Sequence, residues 1–326
     1  MKKKLVILLA ILDFLAILCL FVAYGPISLF RDWFIPTSMG TWTHSYFAQT
    51  IYSTEQIKEV LSSMGTYSPG DNTDSSLIDF DNSDPLIYDS IYEEQILKRD
   101  KEDIYKIIDI EGDTYTGHIL VVYDPSRISL EISPFVKAGG QKISNLAKSF
   151  NALAAVNASG FVVNSNTGSL SPDGTFIMDG KLYKDSGGSL IGFNQDNVLV
   201  LTKESATKAI NNGMKDAVSF NPFLIVNGEA STFVKGGGYG LRPRTAVGQR
   251  KDGIVLFVVI NGNAYGTSGI DMEELTNIFI RYKAYNAANL DGGGSSSLWA
   301  DGKLINSPAG WSYEGERYLP NAWIIK

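Results

Sequence analysis

Cysteine and histidine are almost missing from these 326 residues: there is one Cys, Cys19, and two His. A single thiol excludes an intramolecular disulfide, so pairing says nothing about the redox compartment. Two imidazoles exclude a His-rich metal centre. There is no basic excess either, with 28 Lys and Arg against 35 Asp and Glu and a formal net charge of -7, which argues against nucleic acid as a partner. No internal repeat is visible, and no Gly-x-Ser-x-Gly announces a hydrolase serine. The glycine run Gly236-Gly237-Gly238-Tyr239-Gly240 lacks the Lys-Ser/Thr ending of a nucleotide loop and reads instead as a mobile flap.

What is present starts with Met1-Lys2-Lys3-Lys4 and a nearly unbroken apolar run from Leu5 to Tyr24, twenty residues, enough to span a bilayer as a helix. The positive flank stays in the cytoplasm and leaves the bulk outside. The expectation is a single-pass cell-membrane protein with an extracellular C-terminal domain and the membrane as one partner. A cleavable signal peptide looks similar over its first half, but this apolar run is longer than a usual signal core and Tyr24-Gly25-Pro26 is a poor cleavage site. Asp13 inside the run costs about 2.5 to 3.5 kcal/mol at a helix centre. Beyond it, Phe30-Arg31-Asp32-Trp33-Phe34 carries aromatics suited to the membrane interface. Ser38 to Met64 reads as mostly helical, with Thr54 and Glu55 opening an amphipathic stretch of Ile57, Val60 and Leu61. Gly65 to Pro85, rich in Ser, Asp, Asn, Gly and Pro, predicts a flexible linker. It overlaps the acidic stretch Asp71 to Glu111, thirteen acids against four bases, which reads as a solvated spacer. Three regions follow: residues 1–25 as a transmembrane signal anchor, 26–93 as a juxtamembrane helix and acidic linker, and 94–326 as the folded domain.

In that domain strand signals recur at Ile104 to Ile110, His118 to Asp124, Ile128 to Ile132, Ala152 to Val156, Leu190 to Phe193, Val198 to Leu201, Phe223 to Val226, Thr245 to Gly248 and Ile254 to Ile260. Helical patterns fit Gln141 to Phe150, Ala206 to Asn211 and Met272 to Tyr285. Strands outnumber helices without regular alternation. This predicts an α+β fold with a mixed, twisted β-sheet core and flanking helices, preceded by an N-terminal transmembrane helix and a stalk. His118 sits in a strand-like run, where a structural role fits better than that of a base.

The stretch richest in chemistry is Asn289-Leu290-Asp291-Gly292-Gly293-Gly294-Ser295-Ser296-Ser297. One carboxylate, three glycines and three hydroxyls put a charge and small donors where backbone can approach a ligand closely; a plain turn is the other reading. Asn157-Ala158-Ser159-Gly160-Phe161 follows a buried strand, so the Asn157 amide can orient a ligand oxygen while Gly160 permits close approach, unless it is only an Asx turn. In Gly240-Leu241-Arg242-Pro243-Arg244-Thr245, two guanidiniums suit bidentate contact with phosphate oxygens, or serve as a surface pair with carboxylates. Glu314-Gly315-Glu316-Arg317 brings further charge, as a site or as a solvated turn.

Together these motifs resemble the phosphodiester glycosidase family, over most of Gly117 to Ile325: the Asn-Leu-Asp-Gly-Gly-Gly-Ser-Ser signature, the Asn157 to Phe161 element, Pro243-Arg244-Thr245-Ala246-Val247-Gly248 and the closing Glu-Arg. The resemblance implies a hydrolase cleaving sugar-1-phosphodiester linkages in cell-envelope or exopolysaccharide glycans. Asp291 would be the base or nucleophile and Glu316 the second carboxylate, since glycosidases meet oxocarbenium-like charge with two carboxyl groups. Arg244 would hold the diester phosphate, with Arg242 beside it. Asn157, Ser159, Gly160, Thr245, Asn261, Gly292, Gly293, Gly294, Ser295 and Ser296 would line the substrate. Relatives commonly carry Asp-Gly-Arg where this chain has Asn261-Gly262-Asn263, an acid and a base replaced by amides. No cofactor is required, although Asp291, Glu316 and carbonyls could suit Ca²⁺. The expected partner is a phosphate-linked glycan or cell-wall polymer. Glycosyl or phosphoryl transfer onto an envelope polymer, and simple binding of phosphate-linked glycans, are the other readings.

Overall fold

Three Asx-Gly pairs set the chain's direction locally. Asp179-Gly180, Asn227-Gly228 and Asp301-Gly302 each place two consecutive residues in left-handed backbone, at φ 52° and 67°, 52° and 84°, and 49° and 81°. Two such residues make the mirror-image turn whose twist matches a tight hairpin, and each pair joins neighbouring antiparallel strands.

The structure is a computed structural model that describes residues 9, 11–14, 17, 21, 28–39, 45–63, 70–80, 87–233, 240–262, 268–309 and 315–326. The chain divides into two compact units, Met1–Tyr67 with Thr232–Gly240, and Ser68–Ser231 with Leu241–Lys326. In the first unit, helices α1 (Leu29–Met39), α2 (Ser45–Ile51) and α3 (Thr54–Ser63) pack Ile35, Ala48, Tyr52, Ile57 and Val60 into a small core. The start of α3 is capped reciprocally: Gln56 N–H donates to Ser53 Oγ at 3.2 Å, and Ser53 N–H to Gln56 Oε1 at 3.0 Å. Among the described residues no helix is long and apolar enough to cross a membrane. Most of the run Leu5 to Tyr24 lies outside them, as does most of the expected flap at Gly236 to Gly240.

The second unit opens with α4 (Ile91–Leu97), β1 (Tyr105–Glu111), β2 (Thr116–Val122), β3 (Ile128–Ile132), α5 (Ile143–Ser149) and β4 (Ala154–Asn157). A run of short strands follows: β5 (Phe161–Val163), β6 (Leu170–Pro172), β7 (Phe176–Met178), β8 (Lys181–Lys184), β9 (Leu190–Asn194) and β10 (Leu199–Thr202). Then come α6 (Ala206–Asn211), β11 (Met214–Ser219), β12 (Phe223–Val226), β13 (Glu229–Ala230), β14 (Thr245–Arg250), β15 (Val255–Ile260) and α7 (Met272–Arg281). The chain closes with β16 (Ala284–Asn289), β17 (Leu298–Ala300), β18 (Lys303–Leu304) and β19 (Asn321–Ile325).

These strands form sheets in the orders β1-β2-β15-β14-β16-β12-β13, β10-β9-β11-β7-β8 and β18-β17-β4-β19-β3, plus the ribbon β5-β6. Every pairing among them is antiparallel. The expected mixed sheet is therefore corrected to several antiparallel ones. Parallel neighbours need a long crossover, usually a helix, and here the helices serve another purpose. One face of each sheet feeds a common core, with Leu120, Val247 and Phe257 from the first, Phe176, Ile191 and Phe193 from the second, and Leu130, Val156 and Trp323 from the third. A helix covers the other face: α5 against Ala155, Trp299 and Ile324, and α6 against Ile177, Leu190 and Ala217. Phe279 of α7 lies over Gly248 of β14, where a Cβ would stand 2.7 Å from the ring.

Two further sequence expectations change. The helix predicted to reach Tyr285 stops at Arg281; Lys283 turns at φ 58°, and β16 takes a central place between β14 and β12. The strand is hydrogen-bonded on both edges, to β14 and β12, and that pairing wins over continuing the helix. Residues 70–80 also differ from the flexible spacer read from composition. Asn72 bridges Thr202, Thr73 N–H donates to Leu201 O at 3.0 Å, and Asp79 N–H donates to Lys251 O at 2.7 Å. The segment covers the open edge of β10, and backbone pairing outweighs its polar composition. His118 faces Asp109 across β2 and β1, with Nδ1 2.8 Å from the carboxylate, a cross-strand pair.

Candidate active site

The ends of β4 and β16 and the starts of β14 and β19 meet at one place, where Asn157 acts as a bolt. Its Nδ2 donates to the main-chain carbonyl of Asp291 at 2.7 Å; its Oδ1 accepts from Thr245 Oγ1 at 2.8 Å and from Ser297 N–H at 3.0 Å. Asn157 and Thr245 are buried. Their side chains are committed to each other, so Asn157 holds the glycine loop in place.

The loop itself is laid against β14 and the turn after β4. Leu290 N–H donates to Thr245 O at 2.8 Å, Asp291 N–H to Ala158 O at 3.4 Å, and Gly293 N–H to Pro243 O at 2.8 Å. Gly292 allows this approach, because a Cβ there would lie 3.0 Å from Pro243 O. Gly293, at φ 61°, begins a 3-10 turn Gly293–Ser295. The turn carries Ser295 round towards the Asp291 carboxylate, whose charged form its hydroxyl favours.

Asp291 is partly buried, and its carboxyl is pushed up to about 6. Loss of water is the main cause, and the negative charge of Asp173 adds to it; the Ser295 hydroxyl, the Arg317 charge and the Gly292 N–H oppose it. Ser295, Ser296 and Ser297 are fully buried, and the hydroxyls of Ser296 and Ser297 have no hydrogen-bond partner among the described residues.

Arg317 is exposed, with its guanidinium carbon 4.5 Å from the centre of the Phe161 ring and Nη1 3.5 Å from Ser295 Oγ. Phe161 pairs with Pro172 in the β5-β6 ribbon, which delivers Asp173. Asp173 N–H donates to Gly160 O at 2.7 Å, and its Oδ1 accepts from Gly174 N–H at 3.0 Å. Ser159 is fixed by Asn321, which accepts from Ser159 N–H at 2.9 Å and donates to its Oγ at 2.7 Å.

The remaining sequence candidates lie as follows. Arg244 is buried and its Nε donates to Ile270 O at 3.3 Å. Arg242 pairs with Ile270 through the main chain in both directions, and burial loosens its hold on its proton. Asn261 donates to Thr116 Oγ1 and accepts from Ser307 N–H, both at 2.8 Å, so it ties the end of β15 to neighbouring segments. Glu316 is buried. Gly294 lies in the 3-10 turn; Asn263 and Glu314 fall outside the described residues. Among the described residues, no group of three or more His, Cys, Asp or Glu is gathered as a metal site. The sequence reading did not single out Asp173, and it took Arg317 only as part of a motif. Asp173 stands in Ser171-Pro172-Asp173-Gly174, whose residue types say turn and nothing more.

The arrangement joins a carboxylate whose hold on its proton is raised by burial, an exposed guanidinium, and an aromatic ring. A family model described as phosphodiester glycosidase matches residues 150–326. The chain is 29% identical over 187 residues to the SPbeta prophage-derived uncharacterized protein YomE of Bacillus subtilis (strain 168), covering 54% of this chain and 28% of that protein. It is 25% identical over 223 residues to the N-acetylglucosamine-1-phosphodiester alpha-N-acetylglucosaminidase of Mus musculus, covering 61% of this chain and 42% of that one. It thus spans less than half the length of either relative. The solved catalytic domain of the zebrafish N-acetylglucosamine-1-phosphodiester alpha-N-acetylglucosaminidase, auto-inhibited by its pro-peptide, shares the fold with a TM-score of 0.58 at 24% identity, covering 70% of this chain and 85% of that one.

Proposed function

The chain belongs to the phosphodiester glycosidase family, and from that premise we propose that it hydrolyses sugar-1-phosphodiester linkages of a phosphate-linked glycan at the Asp291 cleft. The observation that carries the reading is Asp291 itself, raised to about 6 and held beside Arg317 and Ser295. A base with that affinity is charged at neutral pH and still takes a proton well, which is the balance general-base catalysis favours. Water's oxygen bonds to the anomeric carbon, its proton passes to Asp291, and the carbon–oxygen bond breaks with its electron pair leaving on the phosphate monoester. Phosphate leaves readily without protonation, so neutralising its charge matters more. Exposed Arg317 and the Arg242 and Arg244 pair supply that positive charge.

The Lys-flanked apolar run Leu5 to Tyr24 supports anchoring in the cell membrane with the domain outside. There the accessible phosphodiesters are those of cell-envelope polymers or exopolysaccharide. The test incubates the full-length protein in detergent with a panel of sugar-1-phosphodiesters and wall-polymer fragments, with and without calcium, beside Asp291→Asn. Release of free sugar by the parent and not by the variant is expected. Product that forms only when acceptor polymer is present would make it a transferase, and binding without turnover would sink the enzyme reading.

A further inference from the structure

We propose that the second carboxylate of the cleft is Asp173, which is pinned to the same turn as Asp291 and steadies the positive charge that builds at the anomeric carbon. The proposal rests on the hydrolase reading above.

The turn is Asn157 to Gly160. Asp291 N–H is held by the carbonyl of Ala158 and Asp173 N–H by the carbonyl of Gly160, two residues on. Asp173 packs directly against this turn: a Cβ at Gly160 would lie in ordinary contact, 3.7 Å from the Cβ of Asp173 and 3.4 Å from the Phe220 ring. The next residue, Phe161, carries Arg317 on its ring and faces Pro172, the neighbour of Asp173. One short segment therefore brings both carboxylates and the guanidinium together. Among the groups that shift the Asp291 proton are Asp173 and Arg317 by charge, and the Ser295 hydroxyl and Gly292 N–H. Glu316, the second carboxylate expected from the motif, is buried.

The chemistry fits a carboxylate that exchanges no proton. As the bond to phosphate breaks, the electron pair leaves with the phosphate and the ring carbon becomes oxocarbenium-like. A fixed negative charge nearby lowers that barrier without reorganising. The same charge strengthens Asp291's hold on the proton it takes from water.

Asp173→Asn keeps the size and the contact to Gly174 N–H but removes the charge. We expect kcat to fall about 100-fold, KM to change less than about threefold, and the acid limb of kcat/KM to move to lower pH. The Asp291 carboxyl, followed by ¹³C NMR with Asp291→Asn to assign it, is expected to titrate at lower pH in the variant. Asp173→Glu is expected to recover part of kcat. A kcat within about threefold of the parent, or an Asp291 titration that does not move, overturns the assignment. So does a result in which Glu316→Gln moves that titration and Asp173→Asn leaves it alone. A parent that hydrolyses no diester sinks the hydrolase reading instead, and the NMR titration still decides whether Asp173 bears on Asp291.

Discussion

The side-chain amide of Asn157 donates to the main-chain carbonyl of Asp291 at 2.7 Å, while its oxygen takes the Thr245 hydroxyl and the Ser297 N–H. One buried residue thus sets the position of the reactive carboxylate relative to two sheets. Asn157→Ala leaves three buried polar groups without their partner, and each costs about 1–3 kcal/mol. The expected result is a loss of several kcal/mol, at the low end of that sum because neighbours relax, read from urea unfolding. Asn157→Asp, which turns a donor toward a carbonyl into an acceptor, should lose activity as well.

Asp291 is predicted to cost stability at the pH where it works. Its folded-state affinity for the proton is raised to about 6, above the usual carboxylate range. The protonated form is therefore the one that suits the fold; its stability is fully present below about pH 4 and is lost as pH rises through about 6. Asp291→Asn mimics the neutral form. It should abolish turnover and raise the melting temperature at pH 7 by the equivalent of up to about 3 kcal/mol, less as water reaches the group. Melting curves of parent and variant should converge near pH 4.

Arg317 is expected to tune the same group in the other direction. Its charge lowers Asp291's hold on the proton, so Arg317→Ala should shift the acid limb of kcat/KM to higher pH and weaken binding of the charged diester. Arg317→Lys keeps the charge but not the planar contact over Phe161, and should restore the limb more than the affinity. A pH–rate profile for the three proteins checks both.

Two adjacent glycines should differ. A methyl at Gly292 would lie 3.0 Å from Pro243 O and 3.4 Å from Arg244 Cα, both backbone, whereas one at Gly293 meets nothing within 4 Å. Gly292→Ala must shift the loop or the Pro243 backbone by a few tenths of an ångström and should lose activity about tenfold through misplacement of Asp291. Gly293→Ala, at φ 61°, should cost about 1 kcal/mol of backbone strain and keep most activity. Kinetics and thermal unfolding of the two variants separate the effects.

Much of this protein is legible along the chain. Apolar alternation and β-branched runs marked most of the longer strands, and the pattern from Ala206 to Asn211 gave a helix that stands as expected. Strands of two to four residues such as Phe161–Val163 and Lys303–Leu304 are too short to show a period, and the Asp179-Gly180, Asn227-Gly228 and Asp301-Gly302 hairpin turns were recognised only in the structure. The Asp-Gly-Gly-Gly-Ser-Ser run pointed to the carboxylate because only such a composition lets backbone crowd a charge.

Local sequence by itself thus determined the hairpin turns, the capped helices and the chemical character of the Asp291 loop, since these depend on neighbours a few residues apart. The tertiary structure alone decided that all sheets pair antiparallel, that residues 70–80 are held by backbone bonds in spite of their polarity, and that Asn157 is spent on holding the loop. It also decided the company Asp291 keeps. Asp173 and Arg317 are 118 residues before it and 26 after, brought to it through the Ala158 and Gly160 carbonyls, the Phe161 ring and the Ser295 hydroxyl. Contacts of that separation follow from which strand ends meet, and no local pattern encodes them.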